Sequence, residues 1–313
     1  MIGTDVAQAA ALLDQGQAVA IPTETVYGLA ANAFDPDAVL KVFAIKRRPS
    51  FDPLIVHIGR MEQLNEVAAH VPEKARLLIE RFWPGPLTVV LPKRASIPDV
   101  VTSGLDTVGV RMPSHPVALE LLRSLPFPLA APSANPFGYV SPTTAQHVAD
   151  QLGNEVPYIL DGGPCNVGVE STIIGFMPTP VLLRAGGVPV EEIEAVIGPL
   201  GKPITSPVGD RPEAPGMLAS HYAPRKRVVI GEPAAIMIEQ RGKRMGVISF
   251  TSNYGEALNE VLSPAGDLHE AARNLFAALR RLDASDVDMI AAEVFPEVGL
   301  GCAINDRLRR AAH

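Results

Sequence analysis

The chain has little of what most catalytic machinery is built from. Of its 313 residues only two are cysteine and seven are histidine. Cys165 and Cys302 form no Cys-x-x-Cys pair and stand far apart, so neither a disulfide framework nor a zinc site is expected, and the metal set is read as none. There is no Walker A loop, no Gly-x-Gly-x-x-Gly fingerprint, no His-Glu-x-x-His and no Gly-x-Ser-x-Gly elbow. A redox cofactor, a catalytic metal cage and a covalent serine mechanism therefore lose weight. Aromatic residues make up only 5%, which leaves few platforms for stacking bases. With a net charge of -7 the whole molecule is no obvious polyanion binder, so any anionic ligand must be held by local cations. No apolar run is long enough to span a bilayer. The start, Met1-Ile2-Gly3-Thr4-Asp5, lacks the basic flank and apolar core of a signal peptide. The expectation is a reduced, cytoplasmic setting without membrane attachment.

What is present is a globular composition, 47% hydrophobic and 19% charged, in a length that suits one large or two ordinary domains. The 30 prolines sit mostly at element ends and predict many fixed turns. Residues 22–57 carry the densest chemistry. A short apolar run over 18–21 is cut by Pro22 and reads as a buried strand. Thr23-Glu24-Thr25-Val26-Tyr27-Gly28 follows where that strand opens into a loop. Asp35-Pro36 is a helix start, with Asp as cap and Pro at the first helical position. Lys46-Arg47-Arg48 closes the helix at the end where cations suit its dipole, and Pro49 stops it. Pro53-Leu54-Ile55-Val56-His57 is a second apolar run that ends on a histidine.

Further on, helices are predicted over 5–15, 60–70, 73–82, 116–125, 141–152 and 189–197. Strands are predicted over 87–91, 107–112 and 158–161, and as a pair over 170–174 and 181–184. Trp83 reads as a core anchor. Arg111, in an otherwise apolar strand, needs a partner, which could be an anionic ligand or solvent. Pro132-Ser133-Ala134-Asn135 suits a tight turn whose amides can face a ligand. From Gly198 to about Pro224 proline, glycine and small polar residues replace any periodic pattern, which reads as a linker. Met217, His221 and Tyr222 are poor choices for a plain tether and favour docking onto a surface. Beyond it, strands over 228–230, 245–250 and 289–292 alternate with helices over 268–282 and 302–311, as in a small, largely parallel α/β domain. The expected domains are 1–199, a linker or lid over 200–226, and 227–313.

Pro22-Thr23-Glu24-Thr25-Val26-Tyr27-Gly28-Leu29, then Lys46-x-Arg48-Pro49 and Pro53-Leu54-Ile55-Val56-His57, resembles the YrdC-like threonylcarbamoyl-AMP synthases. Thr107 to Pro113, the Pro-Ser-Ala-Asn turn, Glu170-Ser171-Thr172 and Arg184 are similar to later segments of that family. Pro215-Gly216-Met217, His221-Tyr222-Ala223-Pro224 and the closing Asn305-Asp306-Arg307 match its two-domain form. The resemblance implies an α/β fold: a YrdC-like twisted mixed sheet with helices, linked to a smaller Rossmann-like α/β C-terminal domain. It implies that Thr25, His57, Arg111, Ala131 and Ser171 surround L-threonine. Arg48, Asp52, Thr107, Ser133, Ser141, Arg184 and Tyr222 would surround ATP, with Lys46 on the phosphates, and Lys46 and Arg48 as the catalytic cations. The sequence departs from the family at Asp52, where asparagine is usual, at Arg47, where glycine is usual, at Ala185 within Arg-Pro-Gly, and at Phe137, where serine is common. A carboxylate at 52 would repel a phosphate unless a metal or Lys46 offsets it.

The implied reaction joins L-threonine, bicarbonate and ATP into threonylcarbamoyl-AMP with release of pyrophosphate, a nucleotidyl transfer. Magnesium would arrive with ATP rather than in a protein cage. The product would pass to a threonylcarbamoyltransferase that modifies adenosine 37 of tRNA. Because the nucleophile is itself a substrate, positioning and cations suffice for catalysis. Two other classes stay open: an RNA-binding module using the basic loop without ATP turnover, and a carbamoyl-transfer enzyme of hydrogenase maturation, whose zinc-finger cysteines are missing here.

Overall fold

A computed structural model describes residues 1–176, 179–201, 221–255 and 257–312. Two sheets organise them. Ten strands form the first: β1 (Ile2–Gly3), β2 (Val19–Ile21), β3 (Gly28–Asn32), β4 (Ile55–His57), β5 (Leu87–Pro92), β6 (Thr107–Arg111), β7 (Leu129–Ala130), β8 (Ile159–Leu160), β9 (Thr172–Gly175) and β10 (Val181–Arg184). Their order is β1-β8-β2-β3-β7-β4-β6-β5-β9-β10, with parallel and antiparallel pairs mixed. Helices α1 (Val6–Asp14), α2 (Pro36–Lys46), α3 (Leu64–Val67), α4 (Glu73–Phe82), α5 (Asp99–Thr102), α6 (Pro116–Ser124), α7 (Ala145–Leu152) and α8 (Val190–Ile197) belong to this part of the chain. The strands are apolar on both faces where helices cover them; Val89 and Leu91 face one cluster and Val90 another, as the two-residue alternation requires.

The second sheet is wholly parallel, in the order β11 (Arg227–Ile230), β14 (Met289–Ala292), β12 (Met245–Ser249), β13 (Leu258–Val261). Ile290 and Ala292 pack with the long helices α10 (Leu268–Ala284) and α11 (Leu300–Ala311). Met289 and Ala291 turn the other way, to Ile236 of α9 (Pro233–Glu239). Both faces are thus covered, which is why β12 and β14 are buried along their whole length. The mixed α/β class with a smaller parallel second sheet is as expected.

The helix caps follow the sequence. Asp35 accepts from the amides of Asp37 and Ala38, and Pro36 opens α2. Two expected helices differ. The stretch 60–70 is a 3-10 turn over Met61–Gln63 followed by the single turn of α3. It stops because Ala68 becomes extended and bridges Lys93, with the Ala69 amide on Pro92 O at 2.8 Å. The helix expected from Ser141 begins only at Ala145. Thr144 caps it by accepting from the His147 amide at 3.2 Å, while the Ser141 hydroxyl is engaged by Glu170. β1, β3, β7, β13, α5 and α9 were not legible as separate elements.

Most of the expected linker, including Pro215-Gly216-Met217, lies outside the described residues; its C-terminal end, from His221, is packed. Among the described residues, several contacts join the second domain to the first. Tyr139 Oη donates to Asp283 of α10. Arg280 Nη2 donates to Gln151 Oε1 at 2.9 Å, Arg307 of α11 reaches Glu170, and the Gly299 amide donates to Glu191 Oε1 at 3.2 Å.

Candidate active site

The loop between β2 and β3 starts the site. Pro22 ends β2, and the Thr23 hydroxyl then ties the turn: it accepts from the amides of Thr25 and Val26 at 3.1 and 3.2 Å and donates to Val26 O at 2.6 Å. Gly28 returns the chain into β3. A Cβ there would stand 3.3 Å from that of Ala131, so the hairpin and the segment after β7 approach closely. Register brings the next residues in. In the parallel pair β4–β6, His57 is opposite Arg111, and in the antiparallel pair β4–β7, His57 is opposite Leu129. The Ala131 amide donates to Ile55 O, two residues before His57, so His57, Arg111 and Ala131 share one face of the sheet. Ser171, just before β9, and Arg184, at the end of β10, close a further side, and Tyr222 covers the result.

One cleft gathers Thr25, His57, Arg111, Ala131 and Ser171 with Arg48, Ser133, Arg184 and Tyr222. Those are the whole set that the resemblance gave to threonine and four of the seven that it gave to ATP. Thr23, Gly28, Glu170 and His221 also line it.

Arg111 is buried. Its Nη1 donates to Thr25 Oγ1 at 2.9 Å and its Nε to Gly85 O at 3.3 Å. Its Nη2 lies 2.7 Å from Glu24 Oε1, a buried ion pair without hydrogen-bond alignment, so neither Glu24 oxygen has a directed donor. His57 is held neutral. Burial first, and the Arg111 charge second, push its pKa down to about 3, while Nδ1 lies 3.2 Å from Ile55 O. His221 is likewise driven to about 3, chiefly by burial. Neither imidazole carries charge at neutral pH.

On the other side, Arg184 donates from Nε to Ser171 O and from Nη2 to Ser171 Oγ, both at 3.2 Å. The same hydroxyl pairs with Thr88 Oγ1 at 2.7 Å. Glu170 holds both of its oxygens in use: Ser141 Oγ donates to Oε1 at 2.6 Å and Arg307 Nε to Oε2 at 2.8 Å. Burial alone would raise this carboxyl; Arg307, Arg184 and the Ser141 hydroxyl outweigh it and keep it below its ordinary value. Tyr222 is fully buried at φ 62°, a left-handed conformation that an aromatic residue adopts only when its surroundings impose it. Its neighbours supply that constraint: the His221 ring at 4.2 Å, the Phe276 ring at 5.6 Å and the Arg307 guanidinium at 5.0 Å.

The two cations of the Lys-x-Arg segment are placed differently from each other. Lys46 is buried, and its ammonium donates to the carbonyls of Ser133 and Asn135, the latter at 2.5 Å. It stands behind the Pro-Ser-Ala-Asn turn, outside the cleft lining. Burial, reinforced by Arg48, lowers its pKa well below the ordinary lysine value, against the pull of Asp52. Arg48 does line the cleft. Its Nη2 pairs with Asp52 Oδ2 at 2.9 Å and donates to Pro53 O at 2.9 Å, and its Nε donates to Asp52 O at 3.1 Å. Asp52 is therefore behind Arg48, where burial pushes its carboxyl up despite the adjacent cations. Arg47, between the two, is exposed and left-handed at φ 51°; this is the position where the related family carries glycine. Lys46 is thus turned away from solvent and Arg48 toward the cleft, while Arg47 stays exposed.

Ser141 and Thr107 also lie off the lining. Ser141 reaches the cleft only through Glu170, and Thr107 is two residues before Gly109, which already pairs with the lining residue Ile55. Glu24, Glu170 and Arg307 were missed as partners of the site. Arg307 had a signal: it sits at a core position of the α11 stripe Leu300, Ala303, Ile304, Leu308, Ala311, where a charge must have a partner. Among the described residues no helix is long and apolar enough to cross a membrane.

The chain is similar to known proteins along nearly its whole length. A family model described as "Telomere recombination" (Sua5, YciO, YrdC) matches residues 11–186, and one described as "Threonylcarbamoyl-AMP synthase, C-terminal domain" matches residues 188–313. The chain is 46% identical to a threonylcarbamoyl-AMP synthase of Pyrococcus abyssi over 97% of this chain and 93% of that one. It is 47% identical to the enzyme of that name from Bacillus subtilis, over 98% of this chain and 92% of the other. The crystal structure of Pyrococcus abyssi Sua5 complexed with L-threonine superposes with a TM-score of 0.92 at 45% identity, over 98% of this chain and 94% of that one. On both family models and similarity along nearly its whole length, the chain belongs to the threonylcarbamoyl-AMP synthases in their two-domain form, and is an enzyme of the transferase kind.

Proposed function

We propose that the protein makes threonylcarbamoyl-AMP from L-threonine, bicarbonate and ATP, releasing pyrophosphate. The observation that carries this is a single cleft that holds the residues assigned to threonine beside Arg48, Ser133, Arg184 and Tyr222 of the nucleotide set. The relative crystallised with L-threonine supports the amino-acid half of the reading. The Arg111 guanidinium suits the threonine carboxylate, and the Thr25 hydroxyl adds a polar contact beside it. The threonine amine, once deprotonated, attacks the carbon of carbon dioxide supplied by bicarbonate. The resulting N-carboxylate oxygen attacks the α-phosphorus of ATP, the bond to the β-phosphate oxygen breaks, and pyrophosphate leaves. Arg48 and Arg184 face the charge that develops at phosphorus, so the step is a nucleotidyl transfer run by positioning and electrostatics.

No three His, Cys, Asp or Glu side chains gather to hold a metal among the described residues; magnesium would enter on the phosphates of ATP. The mixed anhydride formed is prone to hydrolysis, and Tyr222 and His221 exclude water from it, which makes this end of the linker part of a lid. The product would serve a threonylcarbamoyltransferase acting on adenosine 37 of tRNA.

The test is pyrophosphate release. It should require both L-threonine and bicarbonate, and serine should do worse because a pocket shaped to the methyl loses about 1–3 kcal/mol of contact. Equal release without any amino acid refutes the reading.

A further inference from the structure

Phe137 is not among the residues that line the cleft, yet its ring touches two that are. The guanidinium carbon of Arg48 stands over the ring, 5.9 Å from the centroid. The His221 ring meets it edge-on, with centroids 5.9 Å apart and planes at 84°. The backbone around Phe137 is tied to the same two neighbourhoods. Its amide donates to Lys46 O at 2.9 Å, at the end of α2, and the Gly138 carbonyl accepts from the Ala223 amide at 2.8 Å. One side chain, just past the Ser-Ala-Asn turn, thus reaches both the helix end that carries Arg48 and the segment that carries His221.

Hydrogen bonds leave both neighbours with a polar atom to spare. Arg48 uses Nε and Nη2 on Asp52 and Pro53, while Nη1 has no protein partner among the described residues. His221 is buried, lines the cleft, and its Nδ1 has no hydrogen-bond partner among the described residues. A buried nitrogen left bare costs free energy until a ligand reaches it. A phenyl ring carries no donor or acceptor. It can therefore orient a guanidinium and an imidazole through its π system without competing for the atoms that a ligand would use.

We propose that Phe137 is a positioning residue whose ring turns Arg48 Nη1 and the His221 imidazole toward one anionic group in the cleft, a phosphate of the nucleotide. This rests on the reading of ATP as substrate. The described ring contacts of Phe137 include none of the residues assigned to threonine, so the effect falls on the nucleotide alone. A ring that only filled space could be exchanged for another apolar side chain of similar size; a ring that orients charge cannot.

The experiment compares Phe137→Leu and Phe137→Tyr in pyrophosphate release by the full chain. Phe137→Leu, which keeps bulk and loses the π system, should raise the KM for ATP about fivefold and that for L-threonine less than about twofold. Phe137→Tyr, which keeps the ring, should recover most of that loss. Because the ring acts partly through His221, Phe137→Leu should cost only about twofold when added to His221→Gln. Parent-like ATP KM in Phe137→Leu, parallel changes in both KM values, a Tyr variant as poor as the Leu one, or full additivity with His221→Gln overturns the proposal. Should Phe137→Leu not fold, Phe137→Met carries the same comparisons. A crystal structure of the variant answers independently of turnover. Rotation of the Arg48 guanidinium or the His221 ring by more than about 30° supports the proposal, and both groups unmoved refutes it. A parent protein that releases no pyrophosphate would sink the proposed reaction alone, since the crystallographic result decides Phe137 by itself.

Discussion

Asp52→Asn should make the protein less stable and its nucleotide binding tighter. Arg48 Nη2 and Asp52 Oδ2 are 2.9 Å apart and both side chains are buried. At an effective dielectric near 20 their attraction is about 6 kcal/mol before desolvation is counted, and removing one member of such a pair costs about 3–5 kcal/mol. Asparagine keeps the shape of the side chain. Arg48 also keeps its bonds to the carbonyls of Asp52 and Pro53, each worth about 1 kcal/mol. The expected loss of stability is therefore about 2–3 kcal/mol, read as a lower urea midpoint with an unchanged slope. The cleft gains what the pair loses. Arg48 would face ATP without a counter-charge behind it, and affinity for a non-hydrolysable ATP analogue should rise up to about tenfold, or about 1.4 kcal/mol. Calorimetry at fixed ionic strength measures it. Weaker ATP binding in Asp52→Asn would refute the reasoning, because Asp52 would then be orienting Arg48 rather than neutralising it. Greater stability would show that burying the two charges costs more than their attraction returns.

Arg47→Gly should stabilise the fold by about 1 kcal/mol in urea unfolding, since Arg47 caps α2 at φ 51° where glycine has no Cβ penalty; a lower midpoint would contradict this. Stability should fall as pH drops below 6.5. His57 and His221 stay neutral in the fold down to about 3, so between those values the unfolded chain binds protons that the folded one does not. Each contributes about 1.4 kcal/mol per pH unit in that window. Unfolding at pH 6.5, 5.8 and 5.0 should show a slope that His221→Gln reduces; an unaltered slope would remove His221 from the account. Gly186→Ala should cut kcat/KM at least about tenfold and lower stability by about 1–3 kcal/mol. Its Cβ would fall 2.3 Å from Glu170 O and 2.5 Å from Ser171 O and displace the strand entry that both residues share. Parent-level turnover would show that this segment yields without consequence.

Much of the cleft was legible because its residues occur in short runs whose local chemistry is unusual. Thr23-Glu24-Thr25 at a strand end, a cationic helix terminus and a Ser-Ala-Asn turn each announce themselves. What stayed hidden depends on the far side of each residue. Lys46 and Arg48 are two apart at the end of one helix, and nothing local says that the left-handed Arg47 sends one to the carbonyls of a turn near residue 135 and the other into the cleft. Glu24 and Arg111 are far apart in the chain, and their ion pair is created by the sheet. The second sheet was read correctly where its strands are continuously apolar, as over Met289–Ala292. It was missed over Leu258–Val261, an edge strand whose burial is only partial.

The alignment of β4, β6 and β7 also limits how this sequence can vary over evolutionary time. Val56 is opposite both Val110 and Ala130, and His57 both Arg111 and Leu129. Because successive side chains point to opposite faces, gaining or losing one residue within Ile55–His57 or Thr107–Arg111 would swap every cleft-facing group for a core-facing one. A substitution at any one of these positions alters a single contact, whereas an insertion or deletion exchanges the whole set. Changes in length should therefore accumulate in the connections, such as residues 93–98 between β5 and α5, and be absent from these strands. A library of single-codon deletions selected for function would map the boundary between the two directly.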